Sequence, residues 1–134
     1  MAITIDSRES KRKQQLVQKF LESHRIESEI KALPCGDYHW TTPLLGDVVI
    51  ETKTVDDLLT SLTDGRMRRQ VLKLRNIAHP FLAVTGAWSV ERGYIMSHES
   101  NRISGWKPEA VSAIIIRYQL EGIHLMQFIY ESQF

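Results

Sequence analysis

The residues best suited to chemistry are Asp37, in the run Gly36-Asp37-Tyr38, and the pair Glu51 and Lys53, in V-I-E-T-K from Val49 to Lys53. Both runs are otherwise rich in strand formers, and a hairpin centred on Leu44 sets Asp37 across from Glu51. Directly opposed side chains have Cβ atoms about 4.5–5.5 Å apart, and the strand period of two puts Lys53 on the face of Glu51. Two carboxylates that close repel unless a cation lies between them or one keeps its proton. Mg2+ suits such a pair, because it takes oxygen ligands and is held by one or two carboxylates together with water and phosphate. Mn2+ is expected to substitute. An ion held there polarises a phosphodiester and yields a hydroxide, while the neighbouring ammonium positions the water or neutralises developing charge. The plain alternative makes Asp37 a turn residue and leaves Glu51 and Lys53 on the solvated face of an edge strand. E-x-K by itself is a weak signal.

The elements that must position these residues can be read from periodicity. Ala2 to Asp6 reads as a strand, and Ser7 or Ser10 caps a helix whose apolar positions Leu16, Val17, Phe20 and Leu21 recur at three- and four-residue steps. Ile26 to Leu33 gives a second strand, and Gly36 to Thr41 with Leu45 to Lys53 gives the hairpin. Thr54-Val55-Asp56-Asp57 resembles a capping box opening a helix through Leu62, and Asp64-Gly65 separates it from a basic helix, Arg66 to about Ile77. Phe81 to Gly86 is a short strand, whereas Ala87 to Gly105 shows no period and reads as loop. Pro108 suits the first turn of a helix running from Glu109 to Glu121, stopped by Gly122, and Ile123 to Tyr130 closes the chain as a strand. The order predicts an α/β fold, a central mixed sheet flanked by helices, in one domain.

The 134 residues suffice for one hydrophobic core, and 43% hydrophobic with 25% charged residues excludes disorder and fibrous repeats. Cys35 is the one cysteine, which rules out an intramolecular disulfide and multi-cysteine zinc sites. The longest apolar runs, such as Ala113 to Ile116, are far short of the ~18 residues of a membrane span, and an intracellular location, cytoplasm or nucleus, is expected. A formal charge of +1 says nothing about nucleic acid, so that case rests on where the charges sit.

Several further motifs join these: I-D-S-R-E at Ile5 to Glu9, G-D-Y at Gly36 to Tyr38, V-I-E-T-K-T-V-D-D-L at Val49 to Leu58, S-L-T-D-G-R at Ser61 to Arg66, and Gln70. Taken together they resemble the nuclease domain of the XPF-type structure-specific endonucleases, the group that includes Hef and the Mus-type enzymes, within the PD-(D/E)xK superfamily. The resemblance implies a restriction-endonuclease-like core in which Asp37 and Glu51 bind the divalent metal, the Thr52 carbonyl adds a ligand, and Lys53 acts on the attacking water. It also implies that Asp6 orients the metal's water shell and that Asp57 is the last acid of the motif. A cap of the following helix would explain Asp6, and the capping box Asp57, in ordinary structural terms. Arg8 and Gln70 match motif positions and are read as substrate contacts. Two positions depart from the family pattern: Thr52 stands where an Arg separates Glu from Lys, and Thr85 where many members carry a Glu, which implies a weaker outer metal shell.

Arg66, Arg69 and Lys73 fall at three- and four-residue steps and form a basic stripe that a phosphate backbone can follow. Lys11, Arg12 and Lys13 crowd the start of the first helix, where positive charge opposes the macrodipole and a phosphate would relieve it. The apolar residues of 109–121 cover more of the circumference than one core face needs. The resemblance implies that 107–134 builds a homodimer interface, with Phe128, Ile129 and Tyr130 contributing. Burial against Trp88 or Trp106 is the plainer account. The expected activity is hydrolysis of branched, forked or flapped DNA near the junction. The alternatives are a Holliday junction resolvase or other PD-(D/E)xK nuclease, and a noncatalytic DNA-binding or dimerisation module. Neither a helix-hairpin-helix nor a helicase domain is expected within these residues, and a helicase or clamp is an expected further partner.

Overall fold

The structure, a computed structural model, describes residues 2–129. Strand β1 (Ala2–Asp6) leads into α1 (Lys11–Ser23) and returns through β2 (Glu27–Lys31) as its parallel neighbour. Strands β3 (Tyr38–Thr42) and β4 (Gly46–Thr54) form the expected hairpin, with Tyr38 opposite Ile50 and Thr42 opposite Gly46. After α2 (Val55–Asp64) and α3 (Arg66–Leu74), β5 (His79–Thr85) lies parallel to β4. A small hairpin of β6 (Trp88–Glu91) and β7 (Tyr94–Ser97) precedes α4 (Pro108–Leu120) and β8 (His124–Phe128). The main sheet is mixed, in the order β2-β1-β3-β4-β5-β8, so the α/β expectation holds. Tyr130, expected in the last strand, lies outside the described residues. Among the described residues no helix is long and apolar enough to cross a membrane.

The core forms where α2, α3 and α4 cover the sheet: Val49 of β4 and Leu82 and Val84 of β5 meet Leu58, Leu59, Met67, Val71, Leu74 and Tyr118. Strand alternation on β4 sets Val49, Glu51 and Lys53 on this same buried side. An apolar residue would suit each of the last two positions better, so the fold carries a buried acid and a buried amine where its packing alone would not ask for them. The edge strand β2, E-S-E-I-K, is protected by charge at Glu27, Glu29 and Lys31 rather than by cover.

The segment expected as loop, 87–105, contains the β6–β7 hairpin instead. Its turn is Arg92-Gly93, with φ of 53° and 84°. Positive φ at both central positions is the hairpin-forming geometry usually signalled by Asn-Gly or Asp-Gly, and Arg at the first of them hides the signal. The hairpin is tied to α2 by Ser97 and Ser100, whose hydroxyls donate to Asp56, and by the Trp106 indole N–H, which donates to the Thr63 hydroxyl at 3.0 Å.

Candidate active site

The topology brings the carboxyl ends of β1, β4 and β5 and the start of β3 to one end of the sheet, where open α/β sheets present their binding crevices. A cleft of about 170 Å³ opens there, lined by Glu9, Lys13, Asp37, Thr52, Lys53, Thr54, Asp57 and Thr85. Four residues singled out from sequence as catalytic or metal-binding, Asp37, Thr52, Lys53 and Asp57, therefore share one concavity.

Asp37 reaches it by leaving the ladder. The regular pairing ends at Tyr38 and Ile50, so Asp37 is not the ladder partner of Glu51 that the hairpin register suggested. Its N–H bonds to the Ile50 carbonyl at 2.8 Å, and its own carbonyl accepts from Asp6 N–H at 2.8 Å. Gly36 makes the departure, at φ +77°, in a position where an added Cβ would run into Val49. The Asp37 carboxylate lies over β4, where one oxygen accepts both the N–H (2.7 Å) and the hydroxyl (2.8 Å) of Thr52.

Glu51 is 8% exposed, and one of its oxygens is 3.7 Å from the Lys53 ammonium and accepts from the Gln70 side chain at 3.1 Å. Burial first, and then the charge of Asp37, push its carboxyl up to about 7 against the pull of Lys53. Glu9, in the turn after β1, is raised to about 7 by the same two causes in the same order. Three acids thus crowd one end of the sheet, where burial and their mutual repulsion oppose the charging of all three. Among the described residues no three His, Cys, Asp or Glu side chains converge as a finished coordination sphere. The crowded carboxylates, as hard oxygen ligands, nonetheless fit a divalent cation of the Mg2+ type.

The other expected site residues divide. Asp6 is buried with both oxygens engaged, one by the Leu33 N–H at 3.0 Å and one by Arg8 at 2.9 Å, while Arg8 also donates to the Leu33 carbonyl at 2.7 Å. The clasp fastens the end of β1 to the segment before β3. Ser10, rather than Asp6, caps α1. The Asp57 N–H donates to the capping Thr54 hydroxyl at 3.1 Å, while the Asp57 side chain borders the cleft, so capping and site roles coincide. Gln70 is at the site through Glu51, and its carbonyl oxygen is buried with no hydrogen-bond partner. Arg66 pairs with Asp64 at 2.8 Å, whereas Arg69 and Lys73 stay on the exposed face of α3. Glu9 and Lys13 are cleft residues that sequence reasoning did not place in the site. The signal for Lys13 was its positive charge in the first turn of a helix.

Residues 5–128 match the ERCC4 domain family. The chain belongs to that family, and the XPF-type resemblance carried by its motifs holds. An XPF from Aeropyrum pernix superposes with a TM-score of 0.67 at 30% identity, covering 97% of this chain and 57% of that one. The XPF from Aeropyrum pernix in complex with DNA matches at 28% identity with the same TM-score, over 96% of this chain and 56% of that one. The crossover junction endonuclease MUS81 of Oryza sativa subsp. japonica is 33% identical over 84 residues, 56% of this chain. The structure-specific endonuclease subunit MUS81 of Danio rerio is 35% identical over 83 residues. The match spans 13% and 14% of those two proteins.

Proposed function

We propose that this domain is a metal-dependent endonuclease that hydrolyses phosphodiester bonds in branched, forked or flapped DNA near the junction. The observation that carries the reading is the meeting of Asp37, Glu51 and Lys53 at one end of the sheet, with Glu51 buried 3.7 Å from the Lys53 ammonium and lifted to about 7 beside Asp37. A divalent ion, when bound, supplies a Lewis acid and an activated water. Asp37 and Glu51 would hold it, with the Thr52 carbonyl as a third donor. Thr52 fixes the Asp37 carboxylate and Gln70 fixes that of Glu51, so neither rotates freely. Lys53, buried and leaning on Glu51, orients the attacking water and offsets charge that develops on the phosphate.

Two surfaces supply the partners. The exposed Arg69 and Lys73 on α3, whose Gln70 touches Glu51, offer a backbone track for DNA. On the far side of α2 an apolar groove of about 330 Å³ is lined by residues including Trp88, Pro108, Val111, Ile115, Ile116 and Leu125. Its apolar lining supports reading it as the seat of a second copy of the chain, with 107–134 as the dimerisation segment. The test is incubation with labelled fork, flap, four-way junction and linear duplex in Mg2+, beside Asp37→Ala and Lys53→Ala. Cleavage of forks and flaps that both variants lose is the expected result. Equal cleavage of all four would remove the structure specificity, preference for the four-way junction would indicate a resolvase, and binding without cleavage would indicate a noncatalytic module.

A further inference from the structure

Lys13 is the basic residue of the cleft lining that the chemistry above does not use. It sits on the first turn of α1 behind Ser10, whose hydroxyl accepts the Lys13 N–H at 3.2 Å. Its ammonium crosses to the sheet and donates to the Thr52 hydroxyl at 3.4 Å, while lying 3.8 Å from Glu9. The Thr52 hydroxyl in turn donates to Asp37 at 2.8 Å. Lys13 therefore stands at the end of a chain of contacts that leads to the acid proposed to hold the metal. Its side chain remains 25% exposed, against 6% for Lys53. Lys53 is enclosed beside Glu51, and Lys13 is the lysine of the cleft lining that also meets solvent.

The two lysines face opposite sides of β4. Lys53 shares the α3 side with Glu51, and Thr52, one residue away, turns toward α1 and Lys13. A phosphodiester strand drawn toward Asp37 would thus pass an ammonium on the α1 side as well as the basic face of α3. The position is poor for an isolated cation, since the first turn of a helix favours anions. Glu9, four residues earlier, offsets part of that cost. A phosphate oxygen would be bound there both by the ammonium and by the favourable field of the helix start.

We propose that Lys13 is a DNA-phosphate-binding residue of this cleft, holding a non-bridging oxygen of the backbone on the α1 side while Thr52 links it to Asp37. The proposal rests on the nuclease reading, and its test separates the two. Binding of a fluorescein-labelled forked duplex is titrated in EDTA over a range of KCl concentrations, using wild type, Lys13→Gln, Lys13→Arg and, as a control on the same helix, Lys19→Gln. Each phosphate contact contributes about 0.9 to the slope of log K against log salt. Lys13→Gln should lower that slope by roughly one contact, Lys13→Arg should restore it, and Lys19→Gln should leave it unchanged. In Mg2+, Lys13→Gln should raise KM more than it lowers kcat.

A lysine that only neutralises Glu9 and Asp37 would change thermal stability and leave the slope at the wild-type value, and that result would overturn the proposal. So would a slope that Lys13→Arg fails to restore. Wild-type binding without any cleavage in Mg2+ would sink the nuclease reading while the slope comparison still decides the role of Lys13. Absence of wild-type binding would overturn both.

Discussion

Thr52 donates its main-chain N–H and its hydroxyl to the same oxygen of Asp37, at 2.7 and 2.8 Å. A carboxylate held by two donors on one oxygen has its other oxygen aimed and its rotamer fixed. The residue between the buried acid and the buried amine of β4 thereby positions the acid that precedes the neighbouring strand. The relationship makes sense of Thr at this position: a short β-branched hydroxyl fits a strand and reaches Asp37 without crossing the cleft.

Replacing Thr52 with Val keeps the shape and the main-chain donor and deletes the hydroxyl. Removal of an outer hydrogen bond of this kind costs about 10–100-fold in metal affinity or activity. The variant should fold with an unchanged far-ultraviolet spectrum, need more Mg2+ for half-maximal cleavage, and recover partly at saturating Mg2+. An unchanged Mg2+ requirement would mean that the main-chain N–H alone fixes Asp37.

Crowding of acids has a consequence for stability that runs opposite to the usual carboxylate case. Glu9 and Glu51 are held at about 7 in the folded chain against an ordinary 4.5. Between those values the folded state binds more protons than the unfolded one, so their contribution to stability falls as pH rises through that window. In EDTA at pH 8, Glu51→Gln should melt a few degrees above wild type, and the advantage should vanish near pH 5, where the wild-type acid is protonated. Addition of Mg2+ at pH 8 should raise the wild-type Tm and leave that of Glu51→Gln nearly still. Thermal melts at the two pH values, with and without Mg2+, check all three statements. A Glu51→Gln protein less stable than wild type at pH 8 would show that loss of the ion pair with Lys53 outweighs relief of the repulsion.

Gly36 supports the same site from the backbone. At φ +77° an added Cβ would run into Val49 Cγ1 and come within 3.3 Å of the Ile50 carbonyl oxygen. Gly36→Ala should therefore destabilise the domain by about 1–3 kcal/mol from the backbone conformation alone, with the clash adding to it, and should reduce cleavage because Asp37 is the next residue. Chemical denaturation measures the first effect. A variant with wild-type stability would mean that the turn before β3 has a second conformation open to it.

The sequence made some of these features legible and hid others for identifiable reasons. Strand alternation placed Glu51 and Lys53 on one face, and Thr54 and Ser10 announced their helices by side-chain capping. The register of the β3–β4 hairpin was readable from its turn, but its last step was not. Whether the ladder continues to Asp37 depends on the Gly36 backbone and on β1, whose Asp6 N–H takes the Asp37 carbonyl. Such a contact between distant segments has no local signature. The β6–β7 hairpin was missed because Arg92 adopts a φ of 53° that sequence statistics assign to Asn, Asp or Gly. Glu9 and Lys13 entered the cleft through the packing of α1 beside the sheet, which periodicity on the helix does not specify.

Helix α4 gave the clearest sequence warning of unsatisfied apolar surface, and the fold leaves that surface open. Of its residues only Tyr118 is buried, and Ile116 and Leu120 are 55% and 85% exposed. Ile115, by contrast, packs against the core cluster, so a charge there would disturb the monomer as well as any interface. Leu120→Glu is the cleaner probe: substitutions at exposed positions away from packing change stability by within about 0.5 kcal/mol, whereas a charge in an apolar interface must be desolvated unpaired. Light scattering should give twice the chain mass for wild type and the single mass for Leu120→Glu, with a Tm for the variant that no longer depends on protein concentration. A wild type that already scatters as a monomer over the micromolar range would remove the homodimer from the proposed function. The apolar groove beside α4 would then need an occupant other than a second copy.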